Sequence, residues 1–320
     1  MKVSVQGCGR WGSFIAWYLD SIGHETLLWG RPSSPNLKQL SQIRKNSYLT
    51  LTDSIMLTDD LSLSTSFSDT IVISISAQEM RSHMKQLAKL PIDGKVIVLC
   101  MKGIEDATGL RLSEVANEEL EKRARIAVWV GPGHVQDFVR GVPNCMVIDS
   151  EDRNLVDYLV NSFSSELIRF YYGSDLIGSE IGAAAKNVIG IASGILDGLG
   201  ISALKGALMA RGAREISRLI KAMGGNELTA YGLTHLGDYE ATVFSAFSQN
   251  RRFGEALVKG EEFSFLAEGV ATSSALMKLK EKHNVELPIS TAVYETVING
   301  SDPSESLSGL FYRSIKQEFD

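Results

Sequence analysis

The hydrophobic pattern changes character between the two halves of the chain. In the first half, short apolar runs alternate with amphipathic stretches of helical period, such as residues 11–22, 79–90 and 110–121. The apolar runs predict strands at residues 2–6, 25–29, 70–75, 95–100, 125–130, 145–148 and 167–171. Strands that are apolar along their whole length are typical of parallel sheets buried on both faces. The alternation therefore predicts a parallel sheet covered by helices on both sides.

From about residue 178 onward, helical periods dominate and no strand pattern is present. The predicted helices cover residues 178–199, 204–223, 252–258, 273–283 and 303–312. Residues 47–68, rich in Thr, Ser and Asp, receive no assignment. We therefore predict an α/β chain with an N-terminal parallel-sheet domain at residues 1–175 and an all-α domain at residues 176–320.

Charge and composition narrow the class of protein. The net charge of -6 argues against a nucleic-acid-binding surface, which needs concentrated Lys and Arg. The three widely spaced cysteines are interpreted as reduced thiols, and the five scattered histidines predict no metal site. The longest apolar stretch, residues 181–201, includes Lys186 and Asp197, so we expect a buried helix and no membrane span. A strand pattern begins directly after Met1, so we expect a cytoplasmic protein without a signal peptide.

A glycine-rich turn follows the first predicted strand and opens the first predicted helix. Its sequence, GCGRWG, places Gly7, Gly9 and Gly12 in a GxGxxG pattern. In dinucleotide-binding folds the first glycine allows the tight turn, the second admits a pyrophosphate, and the third lets helix and strand pack closely. The N-terminus of the helix favours the anion. The context predicts a Rossmann-type NAD(P) site, with a glycine turn that binds nothing as the alternative.

The end of the second predicted strand bears on cofactor choice. Sites selective for NAD usually carry Asp or Glu there for the ribose 2′-hydroxyl. This chain has Arg31, which can pair with a 2′-phosphate. We therefore expect NADP(H) to be preferred and NAD(H) to remain possible. Alternatively, Arg31 is a solvated surface charge.

Two lysines are the candidate catalytic groups. Lys102 follows a buried strand at the sheet edge where open α/β folds bind ligands. Lys186 lies among small and apolar residues over three turns of helix. Partial desolvation near a second cation would lower its pKa towards neutrality and suit it to acid–base chemistry. The alternatives are a solvated loop lysine at Lys102 and a structural ion pair at Lys186.

Further candidate groups lie in the loops of both halves. Gly131 and Gly133 end the strand at residues 125–130 and would admit a ligand close to the backbone. Asp238 follows a glycine between helices, and Ser248 could cap the next helix so that its first N–H groups face an anion. Glu268 could bind a ribose or an amide edge.

Taken in order and spacing, these segments resemble the NAD(P)-dependent glycerol-3-phosphate dehydrogenase family, from Lys2 to about Phe319. The resemblance is carried by GCGRWG, LLWGR, MKGIEDATG, VGPGH, EIGAAAKNVIGIASGILDG, ALMARGAREISRL, THLGD, NRRFG, AEGVAT and LPISTAVYE. It implies reduction of dihydroxyacetone phosphate to sn-glycerol 3-phosphate, a phospholipid precursor. A homodimer is also implied by the family.

The resemblance assigns roles to individual residues. Lys186 would protonate the carbonyl oxygen, Lys102 would polarise the substrate and touch the cofactor, and Asp238 would hold the substrate in the catalytic centre. The remaining implied substrate contacts are Gly131, Gly133, Asn187, Thr242, Ser248, Gln249 and Asn250. The implied cofactor contacts, beside the three glycines, are Arg10, Trp11, Arg31, Lys102, Val135, Gln249, Leu266 and Glu268. The cofactor carries the redox step, and the protein supplies orientation, one proton and positive charge.

Several substrate-side positions depart from the family pattern. The family has arginine at Gln249, where a charge-assisted contact clamps phosphate, serine at Gly133 and alanine at Val135. Its Asp-Asn pair after the glycine turn is replaced by Ile-Ser-Ala at residues 201–203. Arg251 is two residues from Gln249 and would point away on a helix. Two alternatives therefore stay open: a related dehydrogenase acting on another small substrate, and a catalytically silent NADP(H)-binding regulator.

Overall fold

The computed structural model describes residues 1–310 and 317–318. Within them the chain divides into two compact units. The first consists of Met1–Met101 and Leu112–Ser174, and the second of Lys102–Arg111 and the chain from Asp175 onward. Residues 102–111, which fall inside the range predicted for the first domain, therefore cluster with the second unit.

The first unit is built on one sheet of eight strands. The strands are β1 Lys2–Gln6, β2 Glu25–Trp29, β3 Met56–Thr58, β4 Thr70–Ile73, β5 Val96–Leu99, β6 Arg125–Val130, β7 Asn144–Asp149 and β8 Ile168–Tyr172. Their order in the sheet is β3-β2-β1-β4-β5-β6-β7-β8. Every neighbouring pair is parallel except β6 and β7. The predicted parallel sheet is thus confirmed, with one antiparallel pairing that the sequence pattern did not predict.

The helices of the first unit complete the strand–helix alternation. They are α1 Arg10–Ser21, α2 Pro35–Ile43, α3 Leu61–Phe67, α4 Met80–Leu87, α5 Leu112–Glu119, α6 Val135–Val139 and α7 Arg153–Phe163. The unassigned residues 47–68 contain the short strand β3 and the helix α3. Asp60 caps α3 by accepting hydrogen bonds from the backbone N–H groups of Ser62 and Leu63. Strands β4 and β5 are buried along their whole length, as their apolar sequences predict.

The second unit is helical in its described part. Its helices are α8 Leu176–Gly198, α9 Lys205–Ala222, α10 Gln249–Lys259, α11 Glu268–His283, α12 Pro288–Val297 and α13 Pro303–Ser308. The prediction missed α12 and placed the starts of α10 and α11 three and five residues too late. Residue 312, where the last helix was predicted to end, and residue 319 of the resemblance lie outside the described residues.

Helix α8 is the central helix of the second unit, and its glycines allow α10 to pack closely against it. A Cβ atom on Gly194 would lie 1.9 Å from the backbone oxygen of Arg251, and one on Gly254 would lie 2.2 Å from the backbone oxygen of Ile191. Gly190 and Gly198 face the same helix one turn away on either side. This close approach brings the N-terminus of α10 beside the part of α8 that carries Lys186.

Candidate active site

The predicted site residues fall on both units. The first unit carries Gly7, Gly9, Arg10, Trp11, Gly12, Arg31, Gly131, Gly133 and Val135. The second carries Lys102, Lys186, Asn187, Asp238, Thr242, Ser248, Gln249, Asn250, Leu266 and Glu268.

The glycines of the first unit have the geometry that a dinucleotide loop needs. Gly7 has φ +118°, and a Cβ atom there would lie 2.0 Å from the backbone oxygen of Ser74. A Cβ on Gly12 would lie 1.8 Å from the backbone oxygen of Gly7, so β1 and α1 need glycine at both points. By contrast, a Cβ on Gly9 would have no atom within 4 Å. No side chain caps the N-terminus of α1, so its first N–H groups suit an anion and the loop fits a pyrophosphate.

Arg31 lies two residues after the end of β2, and its side chain is largely exposed. Its guanidinium lies 3.8 Å from a carboxylate oxygen of Glu79, whose side chain is also exposed. A long, solvated ion pair of this kind contributes little to stability. The guanidinium is therefore available for an anionic ligand at the end of β2.

Gly133 has a structural reason to differ from the family's serine. Its φ is +147°, and a Cβ atom there would lie 2.3 Å from the ring of Phe138. Phe138 is buried and stacks on Phe14 of α1 with ring centroids 5.0 Å apart. Val135, at the start of α6, is 1% exposed. The departure at Gly133 therefore accompanies the packing of a large aromatic ring beneath the loop.

The centre of the second unit is one carboxylate between two ammonium groups. Oδ2 of Asp238 accepts from Nζ of Lys102 at 2.6 Å and from Nζ of Lys186 at 3.0 Å. Asp238 is fully buried, and the Lys186 side chain is 10% exposed. Oδ1 of Asp238 has no hydrogen-bond partner among the described residues. The cluster thus has a net positive charge and one free acceptor.

Burial controls the acidity of Lys186. Desolvation lowers its pKa to about 8, with Asp238 opposing the change and Lys102 reinforcing it. Nζ of Lys186 also donates to the hydroxyl of Thr242 at 2.7 Å, and that hydroxyl donates to the backbone oxygen of Asp238. Lys186 is therefore held by two partners and can change protonation state near neutral pH.

A chain of amide contacts ties four segments of the second unit together. Asn187 donates to the backbone oxygen of Lys102 at 3.0 Å, and Asn250 donates to Oδ1 of Asn187 at 3.0 Å. The backbone N–H of Gly269 then donates to Oδ1 of Asn250 at 2.9 Å. These contacts hold together the segment that carries Lys102 and the helices α8, α10 and α11.

The N-terminus of α10 is capped as predicted. The hydroxyl of Ser248 accepts from the backbone N–H of Arg251, and Ser248 is 7% exposed. The Arg251 side chain points to Asp197, 2.6 Å away, which also pairs with Lys205. The sequence did not predict this triad, because Arg251 is 54 residues from Asp197 along the chain. Arg251 is thus committed elsewhere, as its helical position predicted.

The remaining candidate residues lie at the starts of α10 and α11 or just before α11. Gln249 is partly exposed, and Leu266 is 64% exposed. Glu268 is the first residue of α11. Among residues 1–310 and 317–318, His, Cys, Asp and Glu form no cluster that could hold a metal ion, and every helix is too short or too polar to span a bilayer.

Comparison with known proteins assigns the family. The family models described as NAD-dependent glycerol-3-phosphate dehydrogenase N-terminus and C-terminus match residues 2–156 and 175–308. The chain belongs to the NAD-dependent glycerol-3-phosphate dehydrogenase family. The family resemblance and the fold class predicted from the sequence are confirmed, and the protein is a nicotinamide-dependent oxidoreductase.

Individual dehydrogenases of this family match over their full length. Relatives named glycerol-3-phosphate dehydrogenase [NAD(P)+] from Thermoanaerobacter sp. and Clostridium botulinum (strain Eklund 17B) are 34% and 36% identical, with 99% of both chains covered in each case. The crystal structure of glycerol-3-phosphate dehydrogenase from Coxiella burnetii is 27% identical. It superimposes with a TM-score of 0.91, covering 98% of this chain and 99% of that one.

Proposed function

We propose that the protein reduces dihydroxyacetone phosphate to sn-glycerol 3-phosphate with NADPH, and that the reaction is reversible. The observation that carries the proposal is the buried carboxylate of Asp238 between Lys102 and Lys186. A silent cofactor-binding protein has no need of two lysines on one buried carboxylate. The names of the full-length relatives support the same reaction.

Lys186 is the proton donor in this proposal. Its ammonium group gives a proton to the carbonyl oxygen of the substrate, and a pKa of about 8 makes the transfer effective near neutral pH. The nicotinamide supplies the hydride to the carbonyl carbon when it is bound. Lys102 polarises the carbonyl, and the free Oδ1 of Asp238 accepts from a substrate hydroxyl. Thr242 holds the Lys186 ammonium group in place.

The N-terminus of α10 is the proposed phosphate site, with Ser248, Gln249 and Asn250 beside Asn187. The free N–H groups of a helix N-terminus favour an anion. Gln249 brings no charge, and Arg251 is held by Asp197. Arg252, one turn further on, lies 3.5 Å from Oε1 of Gln249 and is exposed. We propose that Arg252 supplies the positive charge that the family places at Gln249.

In the first unit, the proposed cofactor contacts are the loop of Gly7, Gly9 and Gly12 with Arg10, Trp11 and Val135. In the second unit, the family resemblance assigns cofactor contacts to Lys102, Gln249, Leu266 and Glu268. Gly131 and Gly133 are the proposed substrate contacts of the first unit, through their backbone. Arg31 favours NADPH because the guanidinium can pair with the 2′-phosphate of that cofactor. Arg31→Ser should raise KM for NADPH much more than KM for NADH. An equal change in both constants would contradict the role of Arg31.

A related dehydrogenase with another small phosphorylated substrate is the second candidate, favoured by the uncharged Gln249. The deciding experiment measures NADPH oxidation by absorbance. Dihydroxyacetone phosphate and dihydroxyacetone are each tested as substrate, with the wild type and with Gln249→Arg. Oxidation by the wild type with the phosphorylated compound alone supports the proposal. Activity gained only in Gln249→Arg would show that the substrate has changed.

Arg252→Gln tests the source of the phosphate charge. We expect KM for dihydroxyacetone phosphate to rise about tenfold or more, because a charge-assisted contact is lost, while kcat changes less. Lys259→Gln is the matched control, since Lys259 lies on the same helix and pairs with Glu255. Equal effects of both variants would point to a general electrostatic change.

We also propose a localisation, an oligomeric state and a metabolic role for the protein. We infer a cytoplasmic homodimer that supplies glycerol 3-phosphate for phospholipid synthesis. Sedimentation equilibrium would test the dimer, and a monomer at micromolar concentration would contradict it. Growth of a deletion strain that does not depend on added glycerol would contradict the metabolic role.

A further inference from the structure

His235 and Tyr239 form a buried pair beside the catalytic cluster, and the proposed reaction does not use either of them. Both residues are fully buried. Nε2 of His235 lies 2.6 Å from the Tyr239 hydroxyl, and Nδ1 lies 2.8 Å from the backbone oxygen of Gly182 on α8. Gly182 permits this approach, since a Cβ atom there would lie 3.0 Å from Cβ of His235.

The partners determine how the pair is protonated. The backbone oxygen of Gly182 can only accept, so Nδ1 of His235 carries the hydrogen. Burial lowers the pKa of His235 to about 4, so the ring is neutral and Nε2 accepts from the Tyr239 hydroxyl. Burial likewise raises the pKa of Tyr239, which keeps its hydroxyl protonated. The two hydrogen bonds therefore run in one direction, from Tyr239 through His235 to α8.

The pair brackets the catalytic carboxylate in the chain. Asp238 lies between the two residues, in the 3₁₀ turn Leu236–Asp238, and its backbone N–H donates to the backbone oxygen of His235. The backbone oxygen of Tyr239 accepts from the N–H groups of Thr242 and Val243. The turn is a short 3₁₀ segment, whose hydrogen bonds have poorer geometry than those of an α-helix.

The attachment point on α8 is one turn from Lys186. In an α-helix the carbonyl of residue 182 faces the backbone N–H of residue 186. His235 thus anchors the segment that carries Asp238 to the same turn of α8 that carries Lys186.

We propose that His235 and Tyr239 are positioning residues that hold the Asp238 carboxylate against Lys186. The proposal rests on the proposed function, because it takes Lys186 and Asp238 as the reacting cluster. It extends that function to His235 and Tyr239, which hydrogen-bond to each other and to α8.

Tyr239→Phe is the main test, because it removes only the hydroxyl. We expect kcat to fall about ten- to a hundredfold, as small misplacements of a catalytic group do, while the Kd of NADPH is unchanged. The alkaline limb of the kcat profile should move to lower pH, because a displaced Asp238 no longer raises the pKa of Lys186 while Lys102 still lowers it. His235→Asn keeps a donor for Gly182 but loses the contact with Tyr239, and should lower kcat by at least as much.

Tyr18→Phe is the matched control. Tyr18 is also fully buried, and its hydroxyl bonds Ser165 at 2.9 Å within the first unit. The control should lower Tm without moving kcat or the alkaline limb. If Tyr239→Phe and His235→Asn behave like Tyr18→Phe, the positioning role is wrong.

A second readout separates this proposal from the proposed function. The rate at which an amine-reactive reagent modifies Lys186, followed by mass spectrometry against pH, reports the pKa of Lys186 without any substrate. A lowered pKa in Tyr239→Phe supports the positioning role even if the wild type does not reduce dihydroxyacetone phosphate. An unchanged pKa in an active protein overturns the positioning role alone.

Discussion

Lys186 donates to the carboxylate of Asp238 across 3.0 Å, and both groups are buried. The contact joins residues 52 positions apart, one on the central helix α8 and one on an irregular turn. A buried carboxylate with two cationic partners is stable only while its geometry is kept, so the cluster is sensitive to small changes.

Lys186→Met should lower kcat by about 10²- to 10⁴-fold, since a positioned general acid contributes that much. The affinity for NADPH, measured by fluorescence titration, should stay close to the wild type. Lys205→Met is the control, because Lys205 is equally buried and ion-paired but contacts Asp197 instead. Equal losses of kcat in both variants would show that the loss of any buried lysine lowers kcat, and would contradict proton donation by Lys186.

The reduction should lose activity as pH rises through the pKa of Lys186. In the proposed mechanism the ammonium form of Lys186 donates the proton, so kcat should be flat at low pH and fall above about pH 8. Lys102→Met removes a charge that lowers this pKa, so the limb should move to higher pH whatever activity remains. Stopped-flow measurement of kcat against pH would test both expectations. If kcat falls at the same pH in Lys102→Met as in the wild type, Lys102 does not lower the pKa of Lys186.

Gly194→Ala should destabilise the second unit. A Cβ atom would lie 1.9 Å from the backbone oxygen of Arg251, and backbone cannot move aside at low cost. Overpacking of this kind costs about 1–3 kcal/mol or more in the free energy of unfolding. Gly206→Ala on α9 meets no atom within 4 Å and should be neutral or stabilising by up to about 1 kcal/mol. Urea denaturation would distinguish them, and equal effects would refute the packing argument.

Acid should destabilise the first unit through His83. Burial lowers the pKa of His83 to about 4 from 6.5, so its contribution to stability is fully present above pH 6.5 and is lost as pH falls through about 4. The loss amounts to about 3 kcal/mol at most. His83→Gln should make unfolding in urea less dependent on pH over this range. The same slope in variant and wild type would count against His83 as the source.

The strand–helix alternation and the glycine loop could be predicted because both are local. The apolar runs at β4 and β5 reflect burial on both faces, and GxGxxG reflects the turn, the close approach and the helix contact. The antiparallel pairing of β6 and β7 could not be predicted, because the hydrophobic pattern of an apolar strand does not indicate the direction in which it pairs. The short β3 and α3 were missed because their Ser- and Thr-rich residues carry weak periodicity.

The site was predicted in part. Lys102, Lys186 and Asp238 were singled out by position or resemblance, but their meeting point depends on residues 102–111 clustering with the helical unit. His235 and Tyr239 were missed, because a buried histidine and tyrosine four residues apart have no distinctive signal in a sequence.

The sequence by itself determined the local choices: which segments are strands or helices, where the chain turns tightly, and that a lysine lies in an apolar helix. These follow from periodicity and from the backbone freedom of glycine, which act over a few residues. Only the tertiary structure decided that Asp238 lies between Lys102 and Lys186, that Arg251 is committed to Asp197, and that Gly133 faces Phe138. Those relationships depend on packing between segments far apart in the chain, and side-chain contacts at such separations are fixed by the whole core at once.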